Sequence, residues 1–118
     1  MHELGIMTGV MDAVQGAAAQ AGAVRVLRVD LSIGEMTEAI EDALRFSFEV
    51  LSEGTVVEGA ELAITTIKPR SRCHDCGAEY EHDRFHMRCP ECGGSSTTLI
   101  AGRELRIDSI EVDIPDTP

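Results

Sequence analysis

The residues of this chain best suited to chemistry are Cys73 and Cys76, followed by Cys89 and Cys92. Each pair is a C-x-x-C turn, and residues 77 to 88 separate the two pairs. Two such turns can bring four thiolates to about 2.3 Å from a tetrahedral zinc ion. Gly77 and Gly93 follow the second cysteine of each pair. Glycine there permits the tight turn that aims backbone N–H groups at the sulfurs. Pro90 stiffens the second turn. Four cysteines saturate zinc and leave no open position for a catalytic water, so the expected ion is structural. A segment this poor in apolar residues is expected to need the metal in order to fold. The same residues would also suit rubredoxin-like iron or thiol–disulfide exchange. Neither pair opens a helix after a strand, which argues against the redox motif. His74, His82 and His86 lie in or beside the segment and are read as exposed polar residues, not as ligands.

A second site is legible at the start, Met1-His2-Glu3. Met1 is expected to be retained, because initiator Met is removed before small residues and His is large. A terminal amine followed by His chelates nickel or copper. The amine and the His2 backbone nitrogen close one ring with the metal, and the His2 backbone and imidazole nitrogens close another. Glu3 adds a backbone nitrogen or a carboxylate. Three or four nitrogens in a plane suit both Ni(II) and Cu(II), and at an isolated site copper binds more tightly.

The elements that must position these groups follow from hydropathy periods. From Leu4 to Ala21 the residues Leu4, Met7, Met11, Val14, Ala18 and Ala21 recur at steps of three and four, which predicts a helix ended by Gly22. Leu27, Val29, Leu31 and Ile33 alternate with Arg28, Asp30 and Ser32, which predicts a strand broken at Gly34. Thr37 is placed to cap a second helix with the stripe Ile40, Leu44, Ser47, Phe48 and Leu51, ended by Gly54. Ala60 to Ile67 reads as a second strand. Pro69 marks a boundary, and the Cys-, His- and Gly-rich stretch runs to about Gly94. Leu105 and Ile107, then Ile110, Val112 and Ile114, form a last strand whose phase slips at Asp108-Ser109. The expected fold is α/β (α+β): two helices on a three-stranded sheet, with a small four-cysteine zinc-ribbon domain inserted before the last strand. Residues 1–68 and 101–114 would form the α/β domain, 69–100 the metal-binding domain, and 115–118 a loose tail.

Composition narrows the function classes. Twenty-one acidic and 10 basic residues give a net charge of −11, which opposes general nucleic-acid binding. Aromatics for base stacking are scarce, at 3%. No stretch approaches the roughly 18 apolar residues of a membrane span, and the first Arg is Arg25, so no basic leader precedes an apolar run. A cytoplasmic protein is expected, and in a reducing compartment paired cysteines indicate metal chemistry in preference to disulfides. No nucleophile–base constellation or phosphate-binding loop is visible, so an enzyme is not expected. The alternative is a zinc-ribbon module that binds protein or nucleic acid without nickel chemistry, with Arg70, Arg72, Arg84 and Arg88 clustered near the cysteines.

Met1-His2-Glu3, the two C-x-x-C pairs in the second half and the closing Glu104-Leu105-Arg106-Ile107 … Ser109-Ile110-Glu111-Val112 strand, taken together, resemble the hydrogenase maturation nickel metallochaperones, the HypA family. The resemblance spans nearly the whole chain. It implies that Met1, His2 and Glu3 hold Ni(II) and that Cys73, Cys76, Cys89 and Cys92 hold Zn(II). It also implies delivery of nickel to the large subunit of a [NiFe] hydrogenase together with a maturation GTPase, and in some members supply of urease maturation proteins. Some members carry a histidine directly after each cysteine pair. Gly77 and Gly93 stand there in this chain, so a zinc site that exchanges Cys for His has no histidine at those positions to use.

Overall fold

In the computed structural model, which describes residues 2–115, the chain runs through two helices and six strands. Helix α1 (Glu3–Gln20) buries Glu3, Met7, Met11, Val14 and Ala18. Leu4, 55% exposed, and Ala21 fall outside the expected stripe. The stripe recurs at steps of three and four, so the inward Glu3 takes the position that Leu4 would have filled. Gly22 ends the helix at φ +69°, with its N–H donating to Ala19 O and that of Ala23 to Ala18 O. This paired closure satisfies carbonyls left open by the last turn and favours glycine at the left-handed position.

Strand β1 (Arg25–Gly34) buries Val26, Val29, Leu31 and Ile33, while Leu27 is 45% exposed. The burial phase slips between Val26 and Val29, as it does when a strand carries one extra residue. Strict alternation therefore fails at Leu27. Val26 N–H is bonded to Val56 O, in the segment before β2.

Thr37 does not cap the second helix. Glu35–Thr37 form a single 3₁₀ turn, and the Thr37 hydroxyl donates back to Gly34 O at 2.7 Å. Glu38 follows in the left-handed region at φ 60°, so the chain cannot continue from there into a helix. Helix α2 (Glu41–Ser52) starts after Ile40, which is extended and 63% exposed, outside the stripe assigned to it. Leu44, Ser47, Phe48 and Ser52 face inward, Leu51 is half-buried, and Glu41 and Asp42 occupy the electropositive first turn. The cap expected from Thr37 is supplied by another element: Ile40 N–H donates to Glu3 Oε2 at 3.0 Å.

Strands β2 (Glu61–Ile67), β1 and β6 (Leu105–Asp113) form one three-stranded sheet with β1 in the middle. In β6 the half-buried positions are Ile107, Ile110 and Val112, which matches the phase slip expected at 108–109. Between β2 and β6 lies a second, antiparallel sheet in the order β4-β3-β5, from β3 (Arg70–Cys73), β4 (Glu79–Glu81) and β5 (Thr97–Ala101). These three strands are too short for a hydropathy period to mark them in the sequence.

The chain divides into two compact units. One comprises residues 1–31, 39–65 and 106–118, and the other 32–38 and 66–105. The first draws its core from α1, α2 and β1, including Met7, Leu44, Phe48, Val29 and Leu31. Full burial of each large side chain contributes roughly 1.5–3 kcal/mol.

In the second unit Gly34 and Gly102 meet backbone to backbone. Gly34 N–H donates to Glu104 O, Met36 N–H donates to Gly102 O, and Gly102 N–H donates to the Glu104 carboxylate. A Cβ on Gly34 would overlap the Gly102 carbonyl and approach Arg103 N to 2.5 Å. Backbone cannot give way as a flexible side chain can. Gly34→Ala is therefore expected to lose about 3 kcal/mol or more. Thermal melting checks this, and a midpoint within a degree or two of the parent would refute it.

Candidate metal centre

The four cysteines converge. Their sulfur atoms all lie within 4.8 Å of one another, with Cys73 Sγ to Cys92 Sγ and Cys76 Sγ to Cys89 Sγ each at 3.5 Å. A tetrahedron with metal–sulfur bonds of about 2.3 Å has edges near 3.8 Å, so the group is already the right size for one ion. None of the four is in a disulfide. Cys73 and Cys89 are buried, and Cys76 and Cys92 face outward.

The local backbone explains the convergence. At the first turn Gly77 N–H donates to Cys73 O (2.9 Å), and at the second Gly93 N–H donates to Cys89 O (2.8 Å). Both glycines are left-handed, at φ 76° and 72°, a conformation that costs a side chain about 1 kcal/mol or more. Cys73 N–H donates to Ala78 O and Cys89 N–H to Gly94 O, which closes the two turns in the same way. Gly94 is held by sterics as well, since a Cβ there would lie 2.8 Å from Asp75 Oδ2 and 3.3 Å from Cys92 Sγ.

The same turns bias the thiols. The Cys76 N–H aimed at Cys73, against the opposing effect of burial, brings that thiol down to about 7. At Cys92 the Gly94 N–H pulls downward, but the Cys73 sulfur, burial and the sulfurs of Cys76 and Cys89 outweigh it and push the thiol up to about 12. Cys76 is also raised: the Ala78 N–H lowers it, and the Cys89 thiol, burial and Cys73 more than offset this. Four sulfurs this close cannot all be thiolates without a cation between them. The donor set is soft, closed and suited to a tetrahedral thiolate metal.

The histidines of this unit lie outside the group. His74 Nε2 is 2.5 Å from Thr98 Oγ1. His82 Nε2 lies 2.7 Å from the fully buried Ser71 hydroxyl, and its Nδ1 2.6 Å from Asp83 O. His86 Nδ1 lies 2.7 Å from the Asp83 carboxylate, which holds that carboxyl below its usual range.

At the other end of the chain, Met1 lies outside the described residues. His2 is exposed at the N-cap of α1, and its carbonyl accepts Ile6 N–H at 3.0 Å. Among the described residues its imidazole has no hydrogen-bond partner, unlike the other three histidines. Glu3, unlike His2, is buried. It is 5% exposed, and its carboxylate accepts Ile40 N–H. The inward turn of Glu3 has no signal in the local sequence, because its partner lies 37 residues away.

Residues 1–112 match the family model described as "Hydrogenase/urease nickel incorporation, metallochaperone, hypA". The chain is 39% identical over 113 residues to the hydrogenase maturation factor HypA of Chlorobium luteolum, covering 96% of this chain and 97% of that one. It is 42% identical over 112 residues to the HypA of Streptomyces avermitilis, covering 93% and 86%. The solution structure of the Ni metallochaperone HypA from Helicobacter pylori superposes with a TM-score of 0.70 at 24% identity, over 98% of this chain and 100% of that one, a likeness of fold.

Proposed function

Because this chain belongs to the HypA family of hydrogenase/urease nickel-incorporation metallochaperones, we propose that it carries Ni(II) at Met1, His2 and Glu3 and holds Zn(II) at Cys73, Cys76, Cys89 and Cys92. The observation that carries the reading is the division of labour among donors. The four-thiolate group is closed, so a cargo ion needs other ligands, and His2 is the exposed imidazole without a hydrogen-bond partner among the described residues.

Zinc would supply a redox-inert crosslink between the two cysteine turns. The chain's own residues prepare for it: the glycine turns aim N–H groups at the sulfurs, and Cys73 is the first thiol ready to ionise. For nickel, the terminal amine and the backbone and imidazole nitrogens of His2 provide a planar nitrogen set. Glu3 would add its backbone nitrogen or its carboxylate, which also accepts Ile40 N–H. A site at a chain end, ligated through one side chain, can exchange its ion with an acceptor more readily than a buried cage. The chain acts as a carrier, not a catalyst, and works in the cytoplasm. Its acceptor is the hydrogenase large-subunit precursor, in concert with a maturation GTPase, and urease maturation proteins are a further recipient. Among the described residues no helix is long and apolar enough to cross a membrane. The division of the fold into a nickel-binding α/β domain, 1–68 and 101–114, and a zinc domain, 69–100, with a tail at 115–118, belongs to the same proposal. Of that tail, 116–118 lie outside the described residues.

The test is transfer. The chain loaded with one nickel is mixed with purified apo large-subunit precursor and the GTPase, and nickel is measured in the re-isolated subunit. Nickel is expected to move to the precursor from the native chain and not from one extended at its N-terminus. Retention of all the nickel by the native chain, together with normal hydrogenase nickel content in cells that lack the protein at limiting nickel, would overturn the reading.

A further inference from the structure

Residues 82–88 link β4 to the second cysteine turn and form a tip that the carrier function leaves unexplained. Phe85 is 75% exposed and Met87 38% exposed, in a chain with only three phenylalanines and no tryptophan. Burying neither side chain forgoes stability in a unit that has little apolar material.

The tip is nevertheless built. The Asp83 carboxylate accepts Phe85 N–H at 2.8 Å and pairs with His86, and the Tyr80 hydroxyl donates to Met87 O at 2.7 Å. His82 N–H donates to Pro69 O at 3.0 Å. Next to Met87 and Arg88, Cys89 anchors the far end in the metal group. A backbone fixed by hydrogen bonds that still presents an aromatic ring outward has already lost the ordering entropy that association would otherwise cost.

The tip is cationic, whereas the first unit is acidic. Between 84 and 88 there are two arginines and a histidine and no acid. Arg84 lies 4.9 Å from the Phe85 ring centre and pairs with Glu38 at 3.2 Å, while Arg88 has no ion-pair partner among the described residues. The first unit carries 13 acidic and 4 basic residues. The other strongly exposed phenylalanine, Phe46 (68%), stands on α2 with Asp42, Glu49 and Glu53 in neighbouring turns, within that acidic surround.

From these observations we infer that the Arg84-Phe85-His86-Met87-Arg88 tip is a docking anchor, with Phe85 entering an apolar pocket rimmed by carboxylates on the protein that accepts the nickel. The inference rests on the carrier reading, because a protein that takes up a divalent cation presents anionic ligands and negative potential at its entry. Such a surface repels the acidic first unit and is attracted to the cationic tip. An exposed aromatic flanked by arginine is also the composition that dominates interface energetics.

The test uses full-length, zinc-loaded chain and purified apo large-subunit precursor, with affinity read by calorimetry at two salt concentrations. Phe85→Ala is expected to weaken binding about thirtyfold, the size of a hot-spot truncation. Arg88→Glu is expected to weaken it about tenfold or more, chiefly through slower association, and to reduce the salt dependence. Phe46→Ala serves as the control and should bind as the parent does. Zinc content and nickel affinity should match the parent in Phe85→Ala and Phe46→Ala, since neither residue belongs to either site, and the Arg88→Glu chain, altered next to Cys89, is compared only at full zinc content. Parental affinity in Phe85→Ala, or a loss confined to binding of phosphatidylserine vesicles, overturns the inference and leaves the carrier reading intact. If the parent itself fails to bind the precursor, the proposed acceptor is wrong and the inference falls with it.

Discussion

Chelating the metal from the purified chain is expected to unfold residues 66–105 while α1 and α2 keep their structure. The second unit has too little apolar material to stand alone. Its buried apolar cluster consists of Cys73, Tyr80 and Cys89, with Ala78 packed against it, and two of the three belong to the four-cysteine group. The strands around it are short, and β4 spans only Glu79–Glu81. A structural zinc contributes about 10–16 kcal/mol of apparent binding energy near pH 7, as large as the whole stability of a typical domain. Tyr80 is the only tyrosine and there is no tryptophan, so tyrosine fluorescence reports on this unit directly. Both helices lie in the other unit, so the helical circular dichroism should survive. Chelation that left Tyr80 fluorescence and the amide protection of β3 and β5 unchanged would refute the expectation.

The pH dependence of this metal follows in sign. Without an ion, Cys92 is held near 12 and Cys73 near 7, so metal binding at neutral pH must expel protons. Zinc affinity therefore rises as the pH is raised and falls further below 7, where Cys73 also binds a proton. Calorimetry in two buffers of different ionisation enthalpy measures the protons released. Equal apparent enthalpies in the two would contradict it.

The second large effect concerns nickel. His2→Ala, or a short extension ahead of Met1, is expected to lower nickel affinity by roughly a hundredfold or more. Loss of groups that merely orient a ligand costs about 10–100-fold, so loss of a ligand should cost at least the upper end. His2 is exposed, so its loss should leave zinc content and Tyr80 fluorescence unchanged. Nickel affinity should also rise with pH, because backbone amides must lose protons to bind. Acidity or partner contact would then favour release. An affinity that stayed flat between mildly acid and mildly alkaline pH would sink the chelate. Unchanged affinity in both variants would move the ion elsewhere in the chain, with His74, His82 and His86 the next nitrogens to test.

Much of this molecule was legible in its residues because the relevant physics is local. The two C-x-x-C turns, their glycines at φ 76° and 72°, the stop at Gly22 and the inward stripe Met7, Met11, Val14 and Ala18 depend on neighbours a few positions apart. So does the phase slip in β6. The net charge of −11 is a property of composition.

Other features depend on tertiary contacts. Thr37 has the chemistry of a helix cap, yet it serves its own 3₁₀ turn, and α2 is capped by Glu3 from the other helix. Leu4 and Leu27 have the hydropathy of core residues, yet they face solvent where Glu3 and Val26 are buried. The strands β3 and β4 alternate in burial, but they are so short, and their buried side (Ser71, Cys73 and Tyr80) so poor in hydrocarbon, that no hydropathy period announces them. Gly34 ends β1 as its type suggests, but the constraint that requires glycine there is the backbone of Gly102. Phe85 is exposed because its loop is held by Asp83, Tyr80 and the metal turn. In each case the deciding partner is remote in sequence or belongs to another element. Sequence therefore determined the four-cysteine group, the turns and most of the helix faces, whose energies come from adjacent residues. The fold decided capping, exposure and close approach, whose energies arise only when distant segments meet.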